Sequence, residues 1–96
     1  MIRHTVVFSL KHAEGSAEEQ AFLEEALVLA KIPSVRKFER LRQVSVKNGF
    51  RFGFSMEFDD QAGYDAYNTH ADHVRFVEER WKQEVPDFLE IDYVAL

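Results

Sequence analysis

Two of the chain's four histidines fall within the run Tyr67-Asn68-Thr69-His70-Ala71-Asp72-His73, and a third, His4, stands near its start. An imidazole inside an apolar stripe has its charged form disfavoured by desolvation, so a neutral His73 could take up a proton near neutral pH. A tyrosine hydroxyl, that of Tyr67, could orient such a base or stabilise an oxyanion, and the pair suits proton abstraction next to a carbonyl. His4 would add a second polar wall, and Tyr64, His70, Phe76, Trp81 and Phe54 are the residues expected to contact a ligand. The plainer alternative makes His4 and His73 half-buried core residues bonded to backbone carbonyls, with Tyr67 packed and its hydroxyl in water. His70 and His73, three apart, could also hold a divalent ion with Asp72, but metal-binding helices more often space histidines by four and spacing supplies no third ligand. Neither a metal nor a cofactor is expected.

These side chains need elements to carry them. Ile2 to Leu10 is rich in β-branched and aromatic residues, and its period of two predicts a strand with Ile2, His4, Val6, Phe8 and Leu10 on one face. Ser16-Ala17-Glu18-Glu19 reads as a capping box that starts a helix. The helix carries Phe22, Leu23, Ala26, Leu27 and Ala30 as one stripe, which Pro33 ends. A second strand is predicted from about Val35 to Val46, with Asn48-Gly49 making a tight hairpin turn. The third strand alternates most clearly, setting Phe50, Phe52, Phe54, Met56 and Phe58 against Arg51, Gly53, Ser55 and Glu57. This row of phenylalanines reads first as core and second as a ligand wall.

Asp59-Asp60 can cap a further helix with Tyr64 and Tyr67 one turn apart, and Thr69 with Asp72 reads as a fresh cap. The longer helix that follows carries His73, Phe76, Val77, Arg80 and Trp81 on one stripe. Pro86 stops it, and Phe88 to Leu96 forms the last strand. The order predicts an α+β, ferredoxin-like βαββαβ unit with a four-stranded antiparallel sheet and helices on one face. Val7, Val94 and Leu96 fall on the other face, which is half apolar and which a partner sheet would cover.

The 96 residues suit a single domain over 1–96, and a chain this short hides only roughly two-thirds of its unfolded surface, so association as a homodimer is expected. A net charge of −5 disfavours nucleic acid and anionic membranes as partners. The charged cluster Arg36, Lys37, Arg40 and Arg42 reads as edge protection in preference to a rim that draws anions. Cysteine is absent, and no apolar run approaches the ~20 residues needed to span a bilayer. The chain enters an alternating segment directly after Met1, without a signal-peptide pattern, so a cytoplasmic location is expected.

Three segments, Arg3-His4-Thr5-Val6-Val7-Phe8-Ser9-Leu10-Lys11, Tyr67 to His73 and the closing Asp92-Tyr93, resemble the stress-responsive A/B barrel domain (Dabb) family. The resemblance covers essentially the whole chain. In that family the helical motif usually reads tyrosine, two variable residues, histidine, proline, a small residue and histidine; here Ala71 replaces the proline and Asp72 the small residue. The resemblance implies a homodimer in which two sheets close a barrel, a dimeric α/β barrel. One plant member folds a linear polyketide by aldol condensation, and the match places its catalytic histidine on His73, its partner tyrosine on Tyr67 and a strand-one histidine on His4. That enzyme also uses a tyrosine on the first helix, whereas the tyrosines here are at 64, 67 and 93 only. Three functions follow as alternatives: a cofactor-free lyase or cyclase acting on a small carbonyl or polyketide-like compound, a non-enzymatic stress-related or metabolite-binding homodimer, or a cofactor-free monooxygenase. A closed apolar pocket containing His73 would separate the first from the second.

Overall fold

In a computed structural model, which describes residues 1–96, the central strand β1 spans Ile2–Ser9 and buries His4, Val6 and Phe8 as its alternation requires, and Leu10, just past its end, is buried too. β2 (Arg36–Arg42), β3 (Phe52–Phe58) and β4 (Asp87–Tyr93) complete an antiparallel sheet in the order β2-β3-β1-β4. Helices cross between β1 and β2 and between β3 and β4, which gives the ferredoxin-like order. The core lies between sheet and helices, where Phe52, Phe54, Met56 and Phe58 of β3 meet Phe8, Phe22 and Phe76.

Helix α1 (Ala17–Glu25) starts where the capping box places it: the Ser16 hydroxyl accepts from the Glu19 N–H at 3.2 Å. The Glu19 carboxylate reaches back one residue further than the motif requires, to the Gly15 N–H at 3.1 Å, and also pairs with Arg51. Beyond Glu25 the coil tightens to a 3₁₀ helix over Ala26–Lys31. Three residues per turn put Ala26, Leu29 and Ile32 on one buried line, so Leu27 and Ala30, expected on the apolar stripe, face solvent instead. Ile32 is extended, the backbone setting that Pro33 imposes on its predecessor.

β2 stops at Arg42, four residues short of its expected end, and residues 43–51 form a long connection. Asn48 and Gly49 do not make a tight turn, since neither has positive φ; Asn48 Oδ1 instead accepts from the Phe50 N–H at 3.0 Å. The register of β2 slips between Arg36 and Glu39, with Lys37 at φ 50, a bulge that suits an exposed edge. Its cations are spent on neighbours, Arg36 on Asp59, Lys37 on Glu57 and Arg40 on Glu24.

Asp60 caps α2 (Gln61–Thr69), its Oδ1 accepting from the Gly63 N–H. The chain then breaks at His70, whose extended backbone and Nδ1, accepting from the Asp72 N–H at 3.1 Å, start α3 (Ala71–Phe76). The new cap is therefore His70; the Thr69 hydroxyl turns back to the Asp65 carbonyl. A π-helical stretch, Val77–Trp81, and a last turn α4 (Lys82–Glu84) follow.

Pairing with β1 fixes β4 so that Phe88, Glu90 and Asp92 face the helices while Leu89, Ile91 and Tyr93 face outward. This corrects the sequence-based expectation: Val94 and Leu96 lie past the strand, and the outer face draws its apolar character from Leu41, Leu89, Ile91 and Tyr93. No helix is long and apolar enough to cross a membrane.

Candidate functional site

Helices α2 and α3 and the π stretch lean over the β4 side of the sheet and leave a cavity of about 530 Å³. His4 and Val6 of β1, Phe54 and Met56 of β3 and Phe88 and Glu90 of β4 form its floor. Tyr67, Asn68, His73, Phe76, Val77, Trp81, Lys82 and Val85 form its helical wall, and Leu29 closes one side. An α-helix would turn Lys82 away from Val77; the wider π turn brings both to the same side.

Three of the polar residues come together at one end. The Tyr67 and His73 rings lie with centroids 4.2 Å apart, and the His4 ring is 6.0 Å from Tyr67. His73 Nδ1 lies 3.1 Å from the Asn68 carbonyl, which can only accept, so Nδ1 carries the hydrogen and Nε2 the lone pair of the neutral ring. Burial disfavours the imidazolium of His73 and, with the neighbouring His4, outweighs the opposing pull of the Asn68 carbonyl and Glu90; its pKa falls below the ordinary histidine value. The same burial, with Tyr64 and Glu90 adding to it, pushes the Tyr67 phenol well above its ordinary value and keeps it a donor.

His4 is held differently. Its Nδ1 donates to Asp92 Oδ1 at 2.6 Å, Tyr64 Oη lies 2.9 Å from the same nitrogen, and the Tyr64 hydroxyl donates to Asp92 Oδ2 at 2.8 Å. Burial, followed by the bond to Asp92 and the Asp92 charge, raises the Tyr64 pKa strongly. His4 is therefore neither bonded to a backbone carbonyl, as the plainer alternative has it, nor left without a charged partner, because β4 brings a carboxylate against it.

Of the residues singled out from the sequence, His4, Tyr67, His73, Phe54, Phe76 and Trp81 line the cavity. Tyr64 and His70 do not: Tyr64 sits behind His4, and His70 is occupied at the helix break. No group of three or more His, Asp or Glu side chains is placed to hold a metal ion. Asp92, Glu90 and Asn68 were given no part in the site by sequence reasoning, although Asp92 and Asn68 stand in the segments that carry the family resemblance. The first two are brought there by the antiparallel register of β4 against β1, a long-range pairing that sets Asp92 beside His4 and Glu90 beside Val6.

A ferredoxin-like sheet with a histidine- and tyrosine-bearing cavity under its helices defines a small α+β domain with a concave site on its helical face. Residues 2–95 match the family model of the stress-responsive A/B barrel domain, and the chain belongs to that family. A Dabb family protein with a ferredoxin-like fold from Mesorhizobium loti is 60% identical, with 99% of this chain and 96% of that one covered and a TM-score of 0.98. The hydroxynitrile lyase from Passiflora edulis is 12% identical (99% and 93% covered, TM-score 0.83). A dimeric ferredoxin-like protein from Thermobifida fusca is 17% identical (98% and 90% covered, TM-score 0.80). Likeness at these two lower levels concerns the fold alone. No curated protein matches the chain.

Proposed function

We propose that the cavity takes a small apolar carbonyl compound, and that His73 removes a proton next to the carbonyl while Tyr67 donates to the developing oxyanion, in a cofactor-free lyase or cyclase reaction. The observation that carries this reading is a neutral imidazole and a protonated phenol, 4.2 Å apart between ring centroids, opening on one apolar cavity. A base needs its lone pair free and an oxyanion partner needs its proton retained, and burial favours both states here. His4, fixed by Asp92 and Tyr64, lies on the floor beside Tyr67. That a protein of this fold from Passiflora edulis is a hydroxynitrile lyase is compatible with lyase chemistry on such a frame. A metabolite-binding protein would use the same cavity; the pairing of His73 with Tyr67 favours catalysis over carriage.

We also propose that the protein acts as a homodimer joined through its outer sheet face, in the cytoplasm, where a cysteine-free chain is at home. The exposed Leu89, Ile91 and Tyr93 supply the apolar surface, and the related fold from Thermobifida fusca is dimeric.

The catalytic reading is tested by solvent deuterium exchange at the carbon next to the carbonyl of phenylbutanone, followed by NMR. The wild-type protein should accelerate exchange, His73→Ala should lower the acceleration by roughly 10²–10⁴, and Tyr67→Phe by about 10². Exchange no faster than in buffer, with the ketone bound, would leave a binding protein; exchange that survives His73→Ala would remove His73 from the chemistry.

A further inference from the structure

Of the charged side chains lining the cavity, two deserve comparison: Lys82 on the helical wall and Glu90 on the floor. The Lys82 ammonium is held by Glu78 at 2.7 Å on the helix surface, so its charge is already countered outside the cavity. Glu90 is the opposite case. It faces the helices beside Val6 and makes neither a hydrogen bond nor an ion pair within the chain, and it adds to the electrostatics felt by Tyr64, Tyr67 and His73. Asp92, its neighbour on the same strand face, is engaged by His4 and Tyr64. The cavity thus presents one uncompensated carboxylate beside aromatic rings: Phe88 lies two residues along the same face and packs edge-on against Trp81, with centroids 5.5 Å apart.

An unpaired carboxylate next to aromatic faces is the chemistry that recognises an organic ammonium, through direct charge attraction and through the negative faces of the rings. It also repels a carboxylate ligand by the same Coulomb energy. We infer that Glu90 sets the charge of the ligand, favouring an apolar compound that bears a protonated amine over its neutral counterpart and disfavouring its carboxylate counterpart. This rests on reading the cavity as the ligand site, and it deepens that reading: the amine sits near Glu90 and Phe88 while the apolar body extends along Phe54, Phe76 and Trp81.

The test uses three probes with one phenyl-and-four-carbon body, phenylbutylamine, phenylbutanol and phenylbutyrate, titrated calorimetrically at pH 7 into the intact protein. None is a ketone or an aldehyde, so the outcome is independent of the proton-abstraction assay. The wild-type protein should bind the amine about fivefold more tightly than the alcohol, and the alcohol about fivefold more tightly than the carboxylate, the size expected of a partly solvated charge. Glu90→Gln should bring the three together, Glu90→Lys should invert the order, and added salt should shrink the wild-type differences. Glu90 is solvent-exposed on a strand edge, so both variants keep the fold. If the alcohol binds and the amine and carboxylate bind equally well, the cavity reading stands and the charge selection is wrong. An amine preference that persists in Glu90→Gln would assign it to another group and overturn the inference. If none of the probes binds, the inference falls together with the reading of the cavity.

Discussion

His73 and Tyr67 respond oppositely to one cause, because burial disfavours whichever form is charged: the protonated imidazole in one case and the phenolate in the other. The consequence for pH follows directly. A rate that depends on neutral His73 should be flat at neutral pH and fall on the acid side with a midpoint below the ordinary 6.5, while the raised Tyr67 pKa keeps an alkaline limb away until beyond the ordinary 10.0. Folding follows the same sign. Since the folded-state pKa of His73 is depressed, the unfolded chain binds the extra proton first, and the stability contributed by the neutral ring is full above 6.5 and lost as pH falls through the folded value. Imidazole carbon shifts followed by NMR check both statements; a His73 midpoint at or above 6.5 would contradict them. The position of these residues along the cavity was legible in the sequence, because His4 alternates with Val6 and Phe8, and His73 heads the stripe of Phe76 and Val77. Asp92 and Glu90 were not legible, because which face of β4 a residue occupies depends on a pairing with β1 some eighty positions away, and an acidic residue in an exposed strand reads as solvated.

The elements themselves were legible wherever a local pattern and the long-range packing agree. The β3 alternation, the Ser16 cap and the prolines after each helical region all sit where the fold uses them. The misreadings share a physical origin, which is that the tertiary structure changed a local period. Continued as an α-helix, α1 would bury Leu27 and Ala30; tightened to 3₁₀, it buries Leu29 at 2% exposure and leaves Leu27 at 37%. Likewise Asn48-Gly49 has the composition of a two-residue turn, but β2 ends at Arg42 and a longer connection needs no such turn. The helix change has a measurable consequence. Leu29→Ala should destabilise the fold by about 2–5 kcal/mol, whereas Leu27→Ala should cost about 0.5 kcal/mol or less. Denaturant melts of the two variants read this difference, and equal losses would restore the α-helical continuation.

At the scale of the whole molecule the sheet is used on both faces, with the cavity and core on one and an uncovered apolar surface on the other. Ninety-six residues give a small core, and the outer surface of Leu41, Leu89, Ile91 and Tyr93 is more apolar than a monomer of this size needs to show. Closing that face against a second copy would bury Ile91, which lies on the central part of β4 opposite Thr5. A charge placed there stays hydrated in the isolated chain, where Ile91 is 40% exposed, but would lose its water in the dimer without gaining a partner, at a cost of several kcal/mol for each copy. Ile91→Asp should therefore leave the far-ultraviolet circular dichroism of the fold in place while converting a dimer to a monomer at micromolar concentration in light scattering. Val74→Asp, on the exposed side of α3, is the matched control and should leave the assembly unchanged. A wild-type protein that is monomeric under these conditions, or an Ile91→Asp variant that remains dimeric, would mean that the outer face is not where two copies meet.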